Sequence, residues 1–213
     1  MDKDTVLNSL SSNMNRRDEV PNQELAERIA KAKDTEAIPI LIDLLKAKKA
    51  LQNDAIKVLY EIGEREPSLI APYFENFMEL LDHKNNRLQW GGMTAINTIT
   101  LLRKEDVYKN LSLLVELGTL GSVITRDQLM YVLQKMASQP PFRKESMAYI
   151  FEILSQSPPN QFPKYAEETL KVISKEDGKV LLEILTNRVS DLEKESSRKR
   201  VHKVIRALAK KME

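Results

Sequence analysis

The chain has 213 residues, 42% apolar and 30% charged, with a net charge of +2. That balance suits a folded protein with ample core material. Its longest aliphatic run, Ile38–Ile42, is interrupted by Pro39 and falls far short of the roughly 20 apolar residues that cross a bilayer. Residues 1–20 lack the apolar centre of a secretory signal. The absence of cysteine removes disulfides, thiolate nucleophiles and Cys-based zinc sites. The expectation is a cytoplasmic protein with no membrane partner.

Taken in chain order, residues 1–34 read as a polar segment followed by a capping helix over Asn22–Lys33, where Leu25, Ala26 and Ile29 have helical spacing. Five pairs of apolar helical segments follow. The first is Thr35–Ala47 with Leu51–Arg65, and the second is Ser68–Leu81 with Arg87–Leu102. Next come Glu105–Leu117 with Ile124–Ser138, Phe142–Ser155 with Pro163–Lys175, and Gly178–Leu192 with Lys194–Lys211. Short connectors carry breakers, among them Glu66-Pro67, Gln139-Pro140-Pro141 and Ser157-Pro158-Pro159-Asn160. Asp34 and Ser68 are placed to cap the helices after them. No segment alternates as a strand does, so the chain reads as all-α.

The second helix of each pair repeats one pattern, apolar or small at i, i+3, i+4 and i+7. It reads Ala55, Val58, Leu59, Ile62; Gly92, Ala95, Ile96, Ile99; Leu129, Val132, Leu133, Met136; Ala166, Thr169, Leu170, Ile173; and Val201, Val204, Ile205, Leu208. Successive copies begin 37, 37, 37 and 35 residues apart. A fixed period in this range marks a repeat array, because a single pair cannot bury both of its apolar faces. The repeats run approximately over 35–66, 67–103, 104–139, 140–176 and 177–213, one continuous domain together with the cap at 1–34. Gly91-Gly92 lacks phosphate-loop spacing and reads as a point of close helix packing.

The A-helix prolines Pro39 and Pro72, the pairs Leu44-Leu45, Leu80-Leu81, Ile153-Leu154 and Ile184-Leu185, and the small-then-aliphatic second helices resemble HEAT repeats across roughly 35–211. Armadillo-like repeats are the close competitor. The resemblance implies a right-handed α-α superhelix of about five helical pairs, with the second helices lining its inner side.

The repeat phase marks i−2, i+2, i+5 and i+9 as facing away from the stack. The first three repeats place Asn53, Lys57, Tyr60, Glu64, Trp90, Thr94, Asn97, Leu101, Asp127, Tyr131, Gln134 and Ser138 there. Of these, Asn53, Tyr60, Trp90, Asn97, Tyr131 and Gln134 form a candidate partner-binding set, since aromatic anchors beside amides suit a protein or peptide. The last two repeats supply Lys164, Lys171, Lys175, Lys199, Lys203, Arg206 and Lys210, with Glu168 as the single acid. This row suits phosphates or an acidic segment. Both sets have a plain alternative, as gap-filling aromatics and as a solvated terminal helix.

Catalytic signatures are missing. His83 and His202 lie three repeats apart without ligand spacing, and no nucleophile motif occurs. The expectation is a non-enzymatic protein- or peptide-binding scaffold with no cofactor and no metal. The alternative is a nucleic-acid-binding array that resembles HEAT-like alkylation-repair DNA glycosylases, working through its basic C-terminal repeats.

Overall fold

The computed structural model describes residues 1–213 as thirteen α-helices joined by turns and short 3₁₀ segments, with no strand. The chain packs as two compact units, residues 1–132 and 133–213, with the boundary inside one helix, α9 (Val123–Ala137).

Unit 1 contains α1 (Lys3–Asn8), α2 (Val20–Ala32), α3 (Ala37–Leu44), α4 (Lys49–Arg65), α5 (Phe74–Glu79), α6 (Asn86–Ile99), α7 (Lys104–Lys109), α8 (Leu111–Leu120) and the start of α9. Helices α2, α4 and α6 stack side by side, while α1 lies against α3 and α5 against α6. The repeat phase explains this layer. Every residue of the five apolar slots is buried except Leu170 and Ile205, which are half-buried. Glycines permit the close approach of neighbours: a Cβ on Gly91 would run into Ile56 Cγ1, and one on Gly92 would come within 3.0 Å of Leu80 Cβ and of the Phe77 carbonyl.

Several boundaries differ from the sequence expectation, each for a local reason. Residues 1–20 contain α1, capped by the Asp2 carboxylate, which accepts the Thr5 N–H at 2.8 Å. Val6 and Leu10, fully buried, anchor its neighbourhood, but two apolar residues give too short a periodic signal to read. Asp34 caps as expected, accepting from the Glu36 and Ala37 N–H groups at 3.0 and 3.2 Å. Ser68 does not cap a helix. Its hydroxyl donates to Glu66 at 2.6 Å, and two 3₁₀ turns, Pro67–Leu69 and Ala71–Tyr73, precede α5. Pro67 and Pro72 lack the N–H that would carry an α-helix through this stretch. The expected helix Glu105–Leu117 is divided into α7 and α8 at Asn110, whose side-chain amide donates to the Asp106 carbonyl at 2.9 Å.

Unit 2 contains the end of α9, then α10 (Arg143–Gln156), α11 (Phe162–Val172), α12 (Gly178–Arg188) and α13 (Glu195–Met212). Its helices alternate between layers, α10 on α12 and α11 on α13. Helix α11 stops short of the expected Lys175 because Ile173 is extended. Asp177, which accepts from Arg143 and Ser174 at 2.6 and 2.7 Å, then organises the turn into α12.

Candidate partner-binding ridge

A buried polar clamp positions the first end of the unit 1 ridge. Asn22 on α2 donates to Asp54 on α4 at 2.8 Å and accepts the Ser11 N–H at 3.0 Å. The other Asp54 oxygen accepts the Ser12 N–H at 2.9 Å. Asn22 is fully buried and Asp54 nearly so, and such groups keep their place because leaving them unpaired is costly. The clamp fixes the chain that leads through exposed residues 13–18 to Glu19, at the start of α2.

Across α4 and α6, Tyr60 and Trp90 meet with ring centroids 5.8 Å apart and planes tilted by 49°. Each ring has a cation three residues before it on its own helix, a spacing that puts both on one face. The Lys57 ammonium lies 4.9 Å from the Tyr60 centroid, and the Arg87 guanidinium 5.3 Å from that of Trp90. Both are within cation–π range. Glu19 reaches both cations: one oxygen is 3.5 Å from the Lys57 ammonium and the other is ion-paired with Arg87. Glu61 completes the cluster, accepting from Lys57 at 2.5 Å and from Arg65 at 2.6 Å.

The charges are mutually maintained. Burial disfavours ionised Glu61, yet hydrogen bonds from Lys57 and Arg65 outweigh it and hold the carboxyl below its ordinary value. Burial likewise opposes the Lys57 charge, and Glu61 and Tyr60 together more than compensate, raising the ammonium above its usual value. Burial pushes the Tyr60 phenol up, with Lys57 pulling it partly back. It lowers Arg87 from so high a starting point that the guanidinium stays charged at neutral pH.

The partner-binding set is distributed as follows. Tyr60 and Trp90 touch, Tyr60 buried and Trp90 half-buried. Half-buried Asn53 accepts from Asn85 at 3.0 Å, and half-buried Asn97 donates to Gln128 on α9 at 2.7 Å. Tyr131 is half-buried on α9, whereas Gln134 falls in unit 2 and is buried. Lys57, Tyr60, Thr94 and Gln134 therefore correct the expectation that the whole stripe faces solvent. For Lys57 and Tyr60 the cause is lateral stacking, which flanks α4 on both sides with α2 and α6.

In unit 2, Lys164 and Lys171 lie on α11, and Lys171 is paired with Glu168 at 2.6 Å. Lys175 is exposed beyond the end of that helix. Lys199, Lys203, Arg206 and Lys210 are exposed along α13, with Lys199 paired to Glu195 at 2.7 Å. Arg200 grips Glu167 through two bonds of 2.8 and 2.7 Å. That grip is the largest influence holding the Glu167 carboxyl below its usual range.

Sequence reading missed Glu19, Arg87 and Glu61 as members of the ridge. The i, i+3 pairs Lys57/Tyr60 and Arg87/Trp90 were a readable signal. Glu19 had none, since it joins the cluster only through the stacking of α2, α4 and α6.

No family model matches the chain, and no curated protein matches its sequence. Among solved structures, it resembles a designed armadillo repeat protein in complex with the peptide (KR)4, with a TM-score of 0.67 and 18% identity over 97% of this chain and 98% of that one. A second designed armadillo repeat protein aligns with a TM-score of 0.60 and 17% identity over 95% and 99% of the two chains. The fold is therefore armadillo-like: an all-helical repeat solenoid. No helix is long and apolar enough to cross a membrane.

Proposed function

We propose that this chain is a non-enzymatic scaffold that grips a peptide or an extended protein segment along the α4–α6 ridge. The observation that carries the reading is the Tyr60–Trp90 ring contact flanked by Lys57 and Arg87. Aromatic rings with few rotors and fixed charges beside them are the usual anchors of such contacts. Asn53 and Asn97 lie on the same two helices, where amides can meet the main chain of an extended segment. Tyr131 on α9 supplies a further aromatic group. The designed neighbour in complex with (KR)4 supports a peptide as the class of ligand for a scaffold of this fold.

The test is selection of binders from a displayed random-peptide library by the wild-type chain. The recovered peptides are then titrated against a Trp90→Ala/Tyr131→Ala variant with unchanged helicity. Truncating a central anchor costs about 2 kcal/mol, so affinity is expected to drop on the order of thirtyfold. Equal binding by the folded variant would count decisively against the ridge.

A further inference from the structure

We propose that Glu19 fills, from within the chain, the place of a ligand carboxylate, so that the ridge takes an acidic segment in competition with its own glutamate. The inference rests on the ridge reading above and adds the chemistry of the partner.

Glu19 stands at the N-cap position of α2 yet makes no side-chain bond to that helix. Its carboxylate instead spans two neighbouring helices, touching Lys57 of α4 and Arg87 of α6. These are the cations seated on the Tyr60 and Trp90 rings. A carboxylate from outside that approached the rings would meet the same two donors.

The cluster is built so that Glu19 is the member able to leave. Its side chain is 38% exposed, against 28% for Arg87 and 9% for Lys57. If it turns away, Lys57 keeps Glu61, which together with Arg65 forms a network independent of residue 19. Arg87, 28% exposed, loses its ion pair when Glu19 leaves, and a guanidinium favours another carboxylate in its place. An incoming aspartate or glutamate can thus replace the Glu19 contact to Arg87.

The experiment follows the fluorescence of Trp90, the chain's one tryptophan, while the full chain is titrated with acetylated (ED)4 or (KR)4 at low and high salt. Glu19→Gln keeps the shape of the side chain and removes its charge, and Glu19→Ala is the second variant should Gln still cap the pair. Removing an internal competitor raises apparent affinity by the inverse of the competent fraction, so (ED)4 should bind on the order of tenfold tighter to either variant. That gain should shrink at high salt and disappear when Arg87→Gln is added. Equal (ED)4 affinity for wild type and both variants, or a preference of the variants for (KR)4, overturns the proposal. If library-selected peptides bind through Trp90 with no effect of charge at position 19, the ridge stands and the Glu19 role falls. If no peptide perturbs Trp90, both fall.

Discussion

Lys57 and Glu61 show how charge survives on a largely buried ridge. Each is opposed by burial, and each is held charged by the other, with Arg65 adding a second donor to Glu61. Because the folded-state pKa of Glu61 is lowered, its contribution to stability is complete above the unfolded value, about 4.3, and is lost as pH falls through the folded value. Urea midpoints measured from neutral pH down through the carboxylate range should therefore drop in the wild type. The drop should be shallower in Glu61→Gln, and identical acid limbs would refute the assignment. Gly91 makes a second case at this scale. Alanine would gain up to about 1 kcal/mol in helix propensity, but its methyl has no room against Ile56, and overpacking costs about 1–3 kcal/mol. Gly91→Ala is expected to destabilise unit 1 by about 1–2 kcal/mol in chemical denaturation.

At the scale of elements, apolar period and breakers placed the helices well wherever each one is long and uninterrupted. Leu51–Arg65, Arg87–Leu102 and Ile124–Ser138 differ from α4, α6 and α9 by a few residues at most. The misses have a common source, in that a short element does not complete enough turns to show a period. Helices α1 and α5 span six residues each, and Asn110 separates α7 from α8 within a stretch that looks continuous. At Ser11 and Ser12 the N-terminal segment is held by the Asn22–Asp54 clamp, since both N–H groups hang from those two side chains. Asn22→Ala strands the Ser11 N–H and one Asp54 oxygen, at about 1–3 kcal/mol for a buried group left unmade. Hydrogen exchange should then quicken at Ser11 and Ser12 while the amides in the middle of α6 remain protected. Exchange that stays slow at both serines would show that other contacts hold the segment.

For the whole molecule, the near-neutral charge conceals two different units. Residues 1–132 carry 17 Lys/Arg and 20 Asp/Glu, whereas 133–213 carry 16 and 11. The excess of unit 2 includes the exposed row Lys199, Lys203, Arg206 and Lys210 on α13. Changing these four to Gln should sharply shorten retention on a heparin column, and unchanged retention would place the anion-attracting surface elsewhere. The sequence alone determined the all-helical repeat architecture and the buried slots, because a helix's period records which side of it meets its neighbours. It also contained every member of the candidate ridge without showing that they meet. Only the tertiary structure decided that Lys57 and Tyr60 are buried between flanking helices, and that Glu19 closes over Lys57 and Arg87. Period is a property of one helix, whereas exposure and ion pairing depend on the lateral stacking of several.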